Sequence, residues 1–245
     1  MSLGLMESQP EGFRNLELAS RYLVSVSPLS LRDLLLYDCS QLVGWDALAK
    51  FAATGQTSLE AGRDGELHSA ACEAAARLAA PAVIEKLTNP PATTLVIGWA
   101  GSAHREALLR RWSEARIVVC NPLRGEPLPD VQCDLVVLSG VFEGGDSTWI
   151  DRIVDFAVSH VRAEGQLVLH DSVLPAGVLP APELALASLA RHVVNRDYHV
   201  WSTERVSGLL QRHGFSVVKS GSVAAGRAVI LALRSQPAVL AAAAD

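Results

Sequence analysis

The stretch Thr93–His104, Thr-Thr-Leu-Val-Ile-Gly-Trp-Ala-Gly-Ser-Ala-His, limits what this chain can fold into more than any other. Thr94–Ile97 are β-branched or apolar, which suits a buried strand. Gly98 to Gly101 spell a turn, and Ser102 is placed to cap a helix that continues through Arg105–Trp112. A strand, a glycine turn and a helix in this order open nucleotide-binding α/β domains, because the turn aims backbone N–H groups and the positive helix end at a ligand. Yet Trp99, Ala100 and Ala103 stand where a tight ligand loop wants glycine, and a Cβ there hinders close backbone approach. Two readings are open from this stretch, a working cofactor loop or plain α/β scaffold.

The residues beyond the loop favour an α/β domain. After Asn89-Pro90-Pro91, apolar strand runs and helical patterns alternate, which predicts a mostly parallel sheet. The strands are read at Thr94–Ile97, Arg116–Cys120, Asp134–Leu138 and Gln166–His170, with a final pair at Phe215–Ser220 and Ala228–Arg234. Helices are read at Ser102–Ser113, Thr148–Val161, Ala181–Val194 and from Ser202 or Thr203 to His213, the last closed by Gly214. Thr148 and Asp151 make a capping box.

Before the prolines the pattern is helical. Residues 1–12 read as loose, and Phe13–Val26 as a short helix or the rim of a missing element. Pro28 and Ser30 start a helix whose apolar positions over Leu31–Ala53 are interrupted by Gly44. Glu66–Leu87 is an alanine-rich helix that Pro81 either kinks or divides. The expected division is a helical segment over 1–90, the α/β domain over 91–235 and a tail over 236–245.

Composition narrows the classes of function. A net charge of −5 argues against nucleic acid as a partner. No window holds 18 apolar residues, so no membrane span is expected, and the N-terminus does not read as a signal peptide. Cys39, Cys72, Cys120 and Cys133 lack metal-site spacing and read as reduced thiols of a cytoplasmic protein without a metal.

In open α/β sheets ligands sit outside the carboxyl ends of the strands. That singles out Gly98–Ser102, Asn121-Pro122, Ser139–Asp146 and His170–Ser172. His170 and Asp171 are an acid/base pair only if the strand has already ended, because adjacent strand residues point to opposite faces.

In order and spacing, several segments resemble the small-molecule O-methyltransferases that use S-adenosylmethionine (SAM), the plant and polyketide-tailoring type. The matching segments are Ser27-Pro28-Leu29-Ser30-Leu31, Gly44-Trp45-Asp46-Ala47-Leu48, Asp134–Ser139, Gly165–Leu169 with Val173-Leu174-Pro175, and Ser202-Thr203-Glu204 through Gly214-Phe215. The resemblance implies a Rossmann-like class I methyltransferase sheet, mostly parallel with an antiparallel last strand. It also implies SAM as cofactor and methyl transfer to a hydroxyl of a small molecule. The residues facing the cofactor would be Gly98, Ala100, Gly101, Asn121 and Ser139. The helical segment would be the remnant of a winged-helix dimerisation domain. Its apolar positions Leu34, Leu35, Leu42 and Trp45 would then meet a second copy or another protein.

The chain departs from that family's pattern at the chemistry. The family's glycine loop reads Asp-x-Gly-Gly-Gly-x-Gly; here Ile97 takes the place of Asp, and Trp99, Ala100 and Gly101 follow. A ribose-binding carboxylate is expected about 20 residues beyond the loop, where Asn121 stands if Arg116–Cys120 is the second strand. Alternatively Arg116–Cys120 is the third strand and the second is absent. The family's general-base histidine aligns with Glu143; Glu143, and His170 from its place on the ligand face at a strand end, are the candidate catalytic residues. Three functions remain open: an O-methyltransferase with an impaired cofactor site, a non-methylating homologue serving as accessory subunit or binding protein, or an enzyme reusing the pocket for other acid/base chemistry.

Overall fold

A computed structural model describes residues 4–40, 43–56, 65–142, 147–174, 189, 201–223 and 227–234, with backbone alone over 43–47. The predicted helix Ala181–Val194, with Tyr198 and His199 beyond it, and the tail from Ser235 lie outside the described residues, Leu189 apart.

Residues 6–15 form a hairpin of two short antiparallel strands, β1 (Met6–Gln9) and β2 (Gly12–Asn15). This corrects the expectation of a loose segment: Met6 pairs with Asn15 and Gln9 with Gly12. The pairing escapes a hydrophobic reading because both strands are almost wholly exposed. Helix α1 (Glu17–Tyr22) follows, then α2 (Arg32–Ser40) and α3 (Val43–Thr54). Ser30 accepts the Arg32 N–H at 3.3 Å at the start of α2, as its position suggests. Gly44 does not interrupt the helical run; it lies inside α3. Helix α4 (Gly65–Ile84) carries Pro81 within its last turn and does not divide there.

The six-stranded sheet has the order β4-β3-β5-β6-β8-β7, from β3 (Thr93–Gly98), β4 (Arg116–Cys120), β5 (Cys133–Ser139), β6 (Val161–Asp171), β7 (Phe215–Ser222) and β8 (Ala228–Arg234). The first four are mutually parallel, and β8 runs antiparallel between β6 and β7. The predicted strand positions and the antiparallel last strand are found. Helices α5 (Gly101–Arg111), α6 (Ser147–His160) and α7 (Thr203–Arg212) connect them. Because α6 begins at Ser147, Thr148 sits inside the first turn and is not its cap. Ser202 does cap α7, accepting the Arg205 N–H at 3.2 Å, and Gly214 closes it with a φ of 81°.

Alternate residues of the central strands face opposite layers, and both layers are apolar, as continuous β-branched runs require. Leu95, Ile97, Val136, Leu138, Leu167 and Leu169 pack with Ile150, Ile153 and Val154 of α6 and Val206, Leu209 and Leu210 of α7. On the other face Val96, Leu135, Val137 and Val168 pack with Ala80, Val83 and Ile84 of α4 and Ala107 and Leu108 of α5. Alanines along α4 let it approach α5 and the sheet closely, which places its middle turns beside the β3–α5 loop. No helix among the described residues is long and apolar enough to cross a membrane.

β4 pairs directly with β3, in the second strand's position, and no strand covers its outer edge among the described residues, so one outer strand of the family's sheet has no counterpart here. Between Cys120 and Cys133 there is only the 3-10 turn Pro122–Arg124 and irregular chain.

Candidate functional site

The carboxyl ends of β3, β5 and β6 are tied to one another. Gly98 ends β3 with a φ of 119°, and a Cβ on it would fall 2.1 Å from the Ser139 carbonyl oxygen. That close approach needs glycine. The Trp99 N–H donates to the Ser139 carbonyl at 2.9 Å, and the Gly140 N–H to the His170 carbonyl at 3.2 Å. Ala100 is fully buried, and Gly101 lies so near β4 that a Cβ would fall 2.3 Å from Val119 Cγ1.

The N-terminus of α5 is the positive end that the loop was expected to offer a ligand. It is already bonded. Glu73 of α4 accepts the Ser102 N–H on Oε1 and the Ala103 N–H on Oε2, both at 2.8 Å. A carboxylate at this position satisfies two of the helix's orphan donors and its dipole together. Ser102 is therefore not the cap; the residue before the helix is Ala100, which makes no side-chain bond, and Glu73 does the capping from another helix.

The Trp99 indole lies over the same end of the sheet. It packs on Cys72, Ala76, Ala100 and Ala103. The His68 ring meets it edge-on at 5.2 Å between centroids, and the Arg124 guanidinium stands 5.6 Å from its centroid. A Cβ on Gly140 would be 3.3 Å from Trp99 Cβ. The indole thus bridges α4, the end of β5 and the turn after β4. Beside it Arg227 donates to Cys72 Sγ at 3.4 Å, and His68 Nε2 is 3.6 Å from the same sulfur.

Asn121 follows β4, where its number places it. Its side-chain oxygen accepts the Leu123 N–H at 3.1 Å, and its own N–H donates to Glu126 at 2.6 Å. One of the amide's two acceptor lone pairs is thus used in capping the 3-10 turn.

Ser139 and His170 come together with a residue sequence reasoning did not single out. His104 Nε2 lies 3.1 Å from Ser139 Oγ and 3.1 Å from His170 Nδ1, and Ser139 Oγ is 3.3 Å from His170 Nδ1. All three side chains are fully buried. Burial, and then the nearby charge of Arg227, hold the His104 pKa down at about 4. Its Nδ1 is buried without a hydrogen-bond partner, so a second ring proton would find no acceptor. Asp171 points the other way: its carboxylate accepts the Phe142 N–H at 2.8 Å and the Ser172 N–H at 2.9 Å. The strand has not ended, and His170 and Asp171 do not converge. Glu143 lies outside the described residues.

Glu73, His104 and Arg227 are the site residues that the sequence reading missed. Glu73 sits 29 positions from Ser102, on a helix with no apparent tie to the loop. His104 did carry a signal, as an imidazole two residues after Ser102 on a short helix.

No family model and no curated protein matches the sequence. Solved structures do match its fold. Human N-acetylserotonin methyltransferase, solved in complex with SAM, superposes with a TM-score of 0.78 at 18% identity, over 96% of this chain and 80% of that one. An O-methyltransferase family protein from Burkholderia thailandensis gives 0.71 at 16% identity, over 96% and 81%. The mitomycin 7-O-methyltransferase gives 0.68 at 18% identity, over 95% and 80%. The fold is therefore the Rossmann-like fold of the SAM-dependent O-methyltransferases, as the resemblance of the segments implied.

Proposed function

We propose that this chain is a homologue of the SAM-dependent small-molecule O-methyltransferases in which the cofactor site is impaired, so that SAM binds weakly or not at all. The observation that carries this reading is the Glu73 carboxylate on the Ser102 and Ala103 amides. It supplies negative charge and acceptors where a bound cofactor would look for donors. Three further features support it. Ile97, fully buried at the end of β3, supplies no carboxylate for an ammonium group. Asn121 supplies no charge for ribose hydroxyls, and its oxygen already serves Leu123. Trp99 fills space over the loop that three consecutive glycines would leave open. The residues present do not fit SAM. Two lost charge-assisted hydrogen bonds weaken binding by roughly two to four orders of magnitude.

On this reading Ser139 and His170 brace the strand ends and are not catalytic. The protein serves as an accessory subunit or a binding protein. Helix α2 buries none of its residues, and Leu35 and Leu36 are 46% and 43% exposed, which supports a partner on the N-terminal helices. A second copy of the chain is the simplest such partner. The side chains of Leu42 and Trp45 lie outside the described residues.

A second reading, methyl transfer to a small-molecule hydroxyl, is favoured by the superposition of 96% of this chain on a methyltransferase solved with SAM. Calorimetric titration with SAM and with S-adenosylhomocysteine separates the two. No binding at millimolar ligand is expected. Micromolar binding overturns the first reading, and Glu143→Gln then tests the base.

A further inference from the structure

A groove of about 460 Å³ runs between the segment before α2 and the outer sides of α4 and α5. None of Gly98, Asn121, Ser139 or His170 lines it, so it is separate from the strand ends. Its volume is in the range of small-molecule sites. Its walls mix apolar and polar groups: three serine hydroxyls from the linker, Ser25, Ser27 and Ser30, three guanidinium groups, Arg32, Arg77 and Arg110, and two carboxylates, Asp33 and Glu106.

The charges in it are not balanced. Arg32 pairs with Asp33 at 3.2 Å, and Arg110 pairs with Glu106 at 2.5 Å. The half-buried Arg77 side chain makes no hydrogen bond or ion pair with any described residue, and its Nε is fully shielded from solvent. The shielded Nε–H cannot reach a ligand in the groove, but the two terminal nitrogens are neither shielded nor bonded to any described residue, and their donors match a carboxylate or phosphate in shape and charge. Pro81, one helical turn on and also in the groove wall, lacks the N–H that would otherwise bond the Arg77 carbonyl. The same turn therefore leaves the Arg77 carbonyl without its usual helical donor.

We infer that this groove is a binding site for a small oxyanion-bearing metabolite, a phosphate or carboxylate carrying a hydroxyl, held by the Arg77 guanidinium with Arg32 and Arg110 at the rim. It meets the loop site only at Ala103, whose amide Glu73 holds; its other lining residues lie away from the strand ends.

The test is an amide chemical-shift titration of the whole chain, with inorganic phosphate in one arm and citrate in the other. The expected result is saturable shifts gathered at Ser25–Asp33 and Ala103–Arg110, with Arg77→Gln weakening binding by at least about tenfold. Arg77→Lys, which keeps the charge and loses the fork, also weakens it, and Arg105→Gln on α5 outside the groove does not. Saturation by phosphate alone assigns a phosphate ligand, and by citrate alone a carboxylate. Absence of shifts with both at millimolar concentration overturns the inference. So do shifts centred elsewhere, or Arg77→Gln binding like the parent. The shift map on the parent chain stands even if Arg77→Gln does not fold.

Discussion

Glu73 and Ser102, 29 residues apart, are joined by a 2.8 Å hydrogen bond from the Ser102 N–H to the Glu73 carboxylate, and its second oxygen holds the next amide. A helix start that local sequence assigns to a serine is thereby capped from a different helix. The bond fastens α4 to the loop and occupies the positive end of α5 together.

Glu73→Ala is expected to destabilise the chain by about 2–3 kcal/mol, because two amides at the helix start lose a charged acceptor. Glu73→Gln keeps one acceptor and loses the charge, so about half that loss is expected. Urea unfolding measures both. If Glu73 is what keeps SAM from the loop, Glu73→Ala also raises SAM affinity in the calorimeter, and no change in affinity assigns the exclusion to Trp99 and Ile97 instead.

The His104 cluster predicts a defined acid limb in stability. The folded-state pKa near 4 lies below the ordinary 6.5, through burial and then the Arg227 charge. The ring is thus neutral in the fold, while the unfolded chain takes a proton below about 6.5. Stability is fully present above about 6.5 and falls as pH drops toward 4, by roughly 3 kcal/mol in all. Unfolding midpoints collected between pH 4 and 7 should show this slope, and His104→Gln should flatten it.

Gly98→Ala and Gly101→Ala are expected to differ sharply. At Gly98 the new Cβ meets the backbone oxygen of Ser139 at 2.1 Å, and φ is 119°, so neither side can yield cheaply. A loss of at least about 3 kcal/mol, or failure to fold, is expected. At Gly101 the obstacle is Val119 Cγ1, a side chain on the sheet's edge that is 38% exposed. Rotation of that valine should limit the loss to about 1 kcal/mol. Thermal melts of the two variants make the comparison.

Thiol reactivity should separate the four cysteines. Cys39 is exposed, while Cys72, Cys120 and Cys133 are buried. Burial, and then Glu126 beside Cys120 and Asp134 beside Cys133, push both of those thiols up to about 11. Iodoacetamide at pH 8 is expected to label Cys39 first in the native protein and the other three only on unfolding. Mass spectrometry of the labelled peptides reads the order, and rapid native labelling of Cys120 or Cys133 contradicts the described burial.

The architecture was legible because its signals are local. Apolar β-branched runs at Thr94–Ile97, Arg116–Cys120 and Asp134–Leu138 read as strands of a sheet buried on both faces. The prolines and glycines between them, with the Ser202 cap and Gly214, mark where elements stop. Strand positions, sheet class and the lack of a carboxylate at Ile97 and Asn121 could therefore be read from the chain without its fold. Long-range packing settled the rest. It placed β4 against β3, used Glu73 to cap a helix that Ser102 was expected to cap, and buried His104 against Ser139 and His170. It also turned His170 and Asp171 to opposite sides and opened the groove around Arg77. Each of these depends on contacts between residues far apart in the chain. Backbone propensity acts over a few residues, whereas a charge finds its partner only after the helices have packed, so no spacing in the sequence announces the pairing.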